Sequence, residues 1–275
     1  MTHWQGKLEL TYAKQEGATQ MIHALNHAPL KVQRPFYPEG EQICHTVGLH
    51  TAGGIVGGDI LMQNLHLHPR SEVFFTTPAA SKIYRSNGQQ AQQQIEITLE
   101  ENAILEWFPQ ESIIFNGADY CHKMRVNLAP NAVFLGWEIT RFGRTARGEQ
   151  FMSGEWRSHN EFWQQDTPVW IDRQWLPGHP ETVQSLHGLA NSPIVASFIA
   201  LGLPNSTSLL ENARQLWPTP PQRGEFGLTT TQNQGLLCRY RGHSLTEIKQ
   251  RFVTLWHFLR QNSLSRPKLH PRVWM

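Results

Sequence analysis

His45-Thr46-Val47-Gly48-Leu49-His50-Thr51-Ala52-Gly53-Gly54-Ile55-Val56-Gly57-Gly58-Asp59 carries two Gly-Gly pairs around two β-branched residues, with a carboxylate directly after them. Glycines lose more conformational entropy on folding than other residues. They gather where the backbone takes positive φ or where another group comes very close. The stretch therefore reads as a tight corner of a β structure that ends on a placed acid. No Gly-Lys-Ser or Gly-Lys-Thr follows it, and the G-x-G-x-x-G spacing is absent, so it is neither a phosphate loop nor a dinucleotide fingerprint. By spacing alone, a structural turn carrying a surface Asp59 accounts for it equally well.

Outward from this corner, the first two thirds of the chain alternate with a period of two. Ile95, Ile97 and Leu99 interleave with Glu96, Thr98 and Glu100, and Met124, Val126 and Leu128 with Arg125 and Asn127. Val73-Phe74-Phe75 is continuously apolar, as expected of a strand buried on both faces. Gln89-Gln90-Ala91-Gln92-Gln93-Gln94 reads as the start of an exposed strand, and no strict repeat is present. Pro and Gly punctuate the segments at the spacing of a many-stranded β architecture. The last third differs. A short helix is expected over 206–217, stopped by Pro218, and Leu236, Leu237 and Tyr240 suggest a further strand. Ser244-Leu245-Thr246-Glu247 forms a capping box ahead of a helix with Leu245, Ile248, Phe252, Leu255 and Leu259 on one face. The expectation is one domain over residues 1–275, mainly β, with a β-rich part at 1–200, a mixed part at 201–275 and two C-terminal α-helices.

A 275-residue chain can bury roughly three quarters of its unfolded surface, and ten tryptophans suit a packed interior. Charged residues reach only 17%, below the usual ~25%, which points to some exterior meeting a partner. A net charge of +2 argues against a nucleic-acid binder. Cys44, Cys121 and Cys238 are odd in number and form no C-x-x-C pair, so neither a disulfide framework nor a structural zinc site is indicated. The N-terminus shows no signal peptide and no run of ~18 apolar residues occurs, so a cytoplasmic chain with no membrane span is expected.

Five further segments accompany the glycine corner in order: Pro29 to Gly40, Thr76 to Ser86, Leu105 to Phe115, Leu135-Gly136-Trp137-Glu138-Ile139 and Pro271-Arg272-Val273-Trp274. Together the six resemble the urease accessory protein UreD family, also called UreH, from about residue 7 to the C-terminus. One departure is His50-Thr51-Ala52, where the family commonly has His-Pro-Pro; the loss of two prolines loosens the corner but leaves Gly53, Gly54, Gly57, Gly58 and Asp59 in place. The resemblance implies a β-helix-like stack of many short strands. It implies a non-enzymatic maturation factor, a metallochaperone scaffold that binds apo-urease and UreF, with the GTPase UreG recruited through UreF. It also implies that no cofactor is held permanently and that Ni²⁺ is in transit.

Asp59, Glu138 and Asp172 are the candidate transit residues. By pattern alone a solvent-facing position is the better explanation of these acids, with Asp172 in a plain surface pair with Arg173. The resemblance implies instead that acids at these positions line an internal passage for nickel. Carboxylates, carbonyls and water can replace part of an ion's hydration shell without trapping it, as a closed His/Cys cage would. His66 and His68 share one strand face but need a third ligand that the sequence does not specify. Cys44-His45 and Cys121-His122 point to opposite faces of their strands and cannot chelate without a bend. Arg141, Arg144 and Arg147 read either as a basic patch or as a loop paired locally to Glu149. No catalytic motif is present; the competing expectation is a β-helical carbohydrate-binding or glycosidase-like protein using Glu106 and Glu111.

Overall fold

The computed structural model describes residues 3–203, 207–217, 219–231 and 235–274. The elements run β1 (Gln5–Gln15), β2 (Ala18–His27), β3 (Leu30–Val32), β4 (Ile43–His50), β5 (Ile60–Leu67), β6 (Glu72–Thr76) and β7 (Ser81–Ile83). They continue with β8 (Ala91–Leu99), β9 (Ile104–Phe108), β10 (Ser112–Ile114), β11 (Asp119–Leu128), β12 (Val133–Phe142), β13 (Glu155–Gln164) and β14 (Thr167–Pro177). The last part holds α1 (Pro180–Gln184), β15 (Ile194–Leu201), α2 (Thr207–Gln215), β16 (Gly224–Thr230), β17 (Leu236–Gly242) and α3 (Leu245–Ser263).

From β4 to β13 the chain passes back and forth between two sheets, and each return pairs in parallel with the previous pass. The first sheet has the order β14-β13-β11-β8-β5-β1-β2, and the second β16-β17-β15-β12-β9-β6-β4-β3. The result is a stack of coils like a β-solenoid, closed at either end by antiparallel strands. The coils are unequal: Ile60 pairs with Gln92, Ala91 with Tyr120, and Tyr120 with Trp156. That inequality is why no sequence repeat is visible.

The glycine corner connects β4 to β5. Gly58 has φ +91, and a Cβ on Gly57 would come within 2.5 Å of the Gln89 carbonyl oxygen. The pairs thus answer both demands read from the sequence, one positive φ and one close approach. The Gln-rich segment enters β8, a central strand of the first sheet, with Gln92 and Gln94 outward and Gln93 inward.

The second sheet is covered on both faces. Phe75 points toward the first sheet and stacks on Trp107 at 4.3 Å, whereas Phe74 points the other way and stacks on Trp256 of α3 at 5.6 Å. The expectation of a doubly buried Val73-Phe74-Phe75 is met. Helix α3 begins as expected, with Ser244 Oγ accepting from the Glu247 N–H at 3.2 Å. The reciprocal half of the capping box does not form: Glu247 instead accepts from the Gln222 N–H, and the Ser244 N–H donates to the Tyr240 hydroxyl. Of the two expected C-terminal helices, α3 is the larger and α2 lies beside β16. The short α1 was not foreseen. Ser206 and Pro218, expected at the ends of the penultimate helix, lie outside the described residues.

Between α3 and the second sheet lies a fixed network of charges. Arg260, fully buried, reaches Glu39 at 2.6 Å and Glu106 at 3.2 Å. Arg266 reaches Glu72 and Glu106, and Trp256 Nε1 donates to Glu106. His45 completes it on Glu39 at 2.9 Å. Burial alone would raise the Glu39 pKa, but hydrogen bonds from His45 and Arg260 and the Arg260 charge hold it below the usual carboxylate value.

Candidate functional site

In a stack of coils, residues at equivalent inward positions form rows that cross the sheet. Leu10, Leu65, Ile97, Val126 and Phe162 make one such row, and it is wholly apolar. Two nearby rows are not. One runs Leu61, Gln93, His122, Ser158 and Gln174, and the next runs Leu8, Gln63, Ile95, Met124, Asn160 and Asp172. Polar side chains at inward positions leave the sheets incompletely packed against each other here. A cavity of about 80 Å³ open to the centres of water molecules runs between them, room for a short file of waters. It is lined from β1, β5, β8, β11 and β13 on one side and from β3, β4, β6, β9 and β12 on the other. Crossing four inter-strand steps of ~4.8 Å, it extends about 19 Å.

A second, wider space of about 400 Å³ lies farther along the same line, bounded by β12 to β17 and open to solvent. Glu138, Thr140 and Trp156 line both spaces, so Glu138 stands in a wall common to the two. Trp137 and Ile139 point toward α3, so the strand parity turns Glu138 toward the first sheet, where it is half-buried at the edge of the solvent-open space. Its carboxylate accepts from Ser158 Oγ at 3.0 and 3.1 Å and from Asn160 Nδ2 at 2.7 Å. All these donors are neutral. Tyr120 lies close by, its hydroxyl donating to Gln93 Oε1 at 2.6 Å; burial, and after it the Glu138 charge, push the phenol far above its ordinary pKa.

The other two acids sit differently. Asp59 is 0% exposed, and its two carboxylate oxygens accept from the backbone N–H groups of Trp4 and Val56, each at 2.9 Å. It ties the glycine corner to the N-terminal strand and does not line either space. His50, which does line the cavity, lies within electrostatic reach of Asp59. Burial holds the His50 pKa below the ordinary value, opposed by the hydrogen bond to Ala52 and by Asp59. With Nδ1 hydrogen-bonded to the Ala52 carbonyl at 3.1 Å, Nε2 keeps its lone pair and has no hydrogen-bond partner among the described residues. Asp172 also faces inward, but Arg239 bridges it at 2.8 Å and Gln174 donates to it at 2.7 Å. Gln174 and Arg239, rather than Asp172 itself, face the wider space.

Only Glu138, among the three sequence candidates, lies in the cavity wall. His50, His122, Gln63, Gln93 and Gln110 line it as well and were not singled out for it. Their signal was available: Gln93 shares the inward parity of Ile95 and Ile97, and His122 that of Met124 and Val126. The glycosidase expectation fares poorly. Glu106 is locked between Arg260 and Arg266, and Glu111 pairs with Lys249 at 2.7 Å. The three cysteines are free and buried. Arg144 pairs with Glu149, the local alternative expected for that loop.

The family model described as "UreD urease accessory protein" matches residues 5–275. The chain belongs to this family. It is 58% identical over 271 residues to "Urease accessory protein UreD" of Nostoc sp. (strain PCC 7120 / SAG 25.82 / UTEX 2576), covering 98% of this chain and 96% of that one. It is 49% identical over 274 residues to the protein of the same name from Acaryochloris marina, covering 100% and 96%. It is 42% identical over 252 residues to that from Synechocystis sp., covering 92% and 93%. Membership implies a role in urease maturation. No helix among the described residues is long and apolar enough to cross a membrane.

Proposed function

We propose that the chain is a non-catalytic, cytoplasmic scaffold of urease maturation that passes Ni²⁺ along the seam between its two sheets toward urease. In this reading it binds apo-urease at one face and UreF at another, with UreG joined through UreF, and it holds no permanent cofactor. The observation that carries the reading is two neighbouring spaces sharing in their wall one carboxylate whose hydrogen-bond donors, Ser158 and Asn160, are neutral. A carboxylate bonded to Ser158 and Asn160 keeps its negative charge available to a cation, whereas one bridged by arginine does not. Along the cavity, where the Gln110 amide oxygen is held by the Lys249 ammonium, His50 Nε2, His122 and the amide oxygens of Gln63 and Gln93 are borderline to hard donors. They can each replace a water on Ni²⁺ in turn, and their separation along the wall keeps them from closing a cage. Asp59 then acts as the support of the His50 corner, and the Asp172–Arg239 pair as a charge-balanced rim of the outer space.

The test is the nickel content and activity of urease from cells expressing a complete urease operon. The accessory chain is supplied as wild type, as Glu138→Ala, or omitted. Omission is expected to abolish activation. Glu138→Ala is expected to leave co-purification with the other urease proteins intact while lowering bound nickel several-fold. Full nickel loading with Glu138→Ala overturns the passage, and full activity without the chain overturns the maturation role. A chelator too large to enter the complex adds a second reading, because it abolishes loading only if the ion travels through bulk solvent.

A further inference from the structure

The outer face of the first sheet carries a second set of metal-competent side chains, remote from the seam. His66 and His68 occupy alternate outward positions at the end of β5. The parallel ladder with β8 pairs His66 with Thr98 and Leu67 with Leu99. It continues one residue further, with the Glu100 N–H donating to the Leu67 carbonyl at 3.0 Å. Glu100 is therefore brought beside the two imidazoles by strand register, and it supplies the third ligand that the sequence left unspecified. The His68 N–H donates to the Tyr12 carbonyl at 2.9 Å, so the positions are fixed from β1 as well.

The side chains converge. His66 Nε2 lies 2.6 Å and His68 Nδ1 3.4 Å from the same carboxylate oxygen, Glu100 Oε1. The rings stack at 4.7 Å with 24° between their planes. One donor atom from each residue falls within 4.8 Å of the other two. All three side chains are partly open to solvent, at 44%, 39% and 34% exposure. No Lys or Arg pairs with Glu100 among the described residues, so its charge is shared only with imidazoles.

We propose that this cluster binds one borderline divalent transition-metal ion, Ni²⁺ or Zn²⁺, through His66, His68 and Glu100. Metal–ligand bonds of roughly 2.0–2.2 Å place neighbouring ligand atoms about 3 Å apart. The ion sits between His66 Nε2 and Glu100 Oε1, and those two atoms separate by well under 1 Å from their 2.6 Å contact to admit it. Two imidazole nitrogens and one carboxylate oxygen favour such ions over Mg²⁺ or Ca²⁺, which take oxygen donors. Three protein ligands leave at least one position for water or for a donor from another protein, so the ion is exchangeable rather than structural. The site is independent of the seam. Leu61 and Gln63 line the seam from the inner face of β5, whereas His66 lies three residues beyond Gln63, about 10 Å along the strand at ~3.3 Å per residue, on the opposite, outward face.

The experiment is equilibrium dialysis of the full-length chain against Ni²⁺ and, separately, Zn²⁺. Wild type is compared with His66→Gln, His68→Gln, Glu100→Gln and Glu138→Gln, each checked for an unchanged thermal melt. Each of the first three substitutions is expected to weaken one equivalent by about tenfold or more, while Glu138→Gln retains it. Electron paramagnetic resonance of the Cu²⁺-loaded chain reads the ligands directly: coupling to two imidazole nitrogens in wild type, and to one in either histidine variant. Identical stoichiometry and affinity in wild type and the three cluster variants overturns the site. So does loss of the equivalent in Glu138→Gln alone, which assigns it to the seam instead.

Discussion

The two faces of the second sheet bury acids in opposite ways. On the face toward α3, Glu106 is held by two arginines and an indole, in surroundings packed with Phe74, Phe108 and Trp256. On the face toward the first sheet, Glu138 is held by a hydroxyl and an amide beside an unfilled space. Both are polar groups in an apolar sheet, and both are hydrogen-bonded. The difference lies in the partner's charge. A buried carboxylate matched by guanidinium is neutralised and structural, and removing the partner strands a charge. A carboxylate matched only by neutral donors has no fixed cation opposing an incoming one from the cavity it faces. The same distinction sorts the remaining candidates: Asp172 stands with Glu106, while Asp59 is satisfied by backbone N–H groups and belongs to the corner rather than the passage.

The contrast can be broken most forcefully on the α3 side. Arg260→Leu leaves Glu39 and Glu106 short of a cation, and a loss of about 3–5 kcal/mol is expected in denaturant unfolding. A change under about 1 kcal/mol would mean that the network contributes little. Next comes Asp59→Ala, which strips the partly buried Trp4 and Val56 backbone N–H groups of their acceptor. The expected loss is about 3 kcal/mol, with Asp59→Asn losing roughly half of that. Urease loading by the Asp59→Asn chain, measured where it remains folded, then separates support of the corner from contact with the ion.

Acid titration sharpens the comparison further. The folded pKa of Glu39 lies below its ordinary value of 4.5. Its contribution to stability is therefore fully present above that value and lost as pH falls through the lowered folded one. Wild type should accordingly lose stability steeply below pH 4.5, and Glu39→Gln should show a shallower slope there in thermal melts. The smallest structural effect is expected at Glu138→Gln, under about 1 kcal/mol, because an amide oxygen still accepts from Ser158 and Asn160. A large destabilisation would make Glu138 a structural acid like Glu106.

How far the sequence revealed this depends on which faces of a strand are covered. Where one face meets water, as in β8, the alternation of Ile95, Ile97 and Leu99 with Glu96 and Thr98 identified both the strand and its inward side. β12 is covered on both faces. There, the apolar neighbours Trp137 and Ile139 made Glu138 look outward, although they point to α3 and leave Glu138 inside. The polar rows were legible only as polar residues on an apolar parity, and that signal is too common to interpret before the coils are in register. The stacking of the coils itself came through resemblance, because their unequal lengths hide the repeat. Arg260 and Arg266 gave no advance sign of their buried partners, since those lie far away in the chain.

That distance has a consequence for how the protein comes into being. Arg260 meets Glu39 across 221 residues, Arg266 meets Glu72 across 194, and Trp256 meets Glu106 across 150. During synthesis the coils emerge first. The outer face of the second sheet then presents Phe74, Phe108 and Leu135, together with Glu39, Glu72 and Glu106 still without their arginine and indole partners, until α3 and Arg266 have left the ribosome. Contacts this remote in sequence close late, and the apolar face stays open to other molecules in the interval. A nascent chain stalled before α3 is thus a sticky, acid-bearing half-shell, and the arrival of α3 and Arg266 converts it into a sealed one.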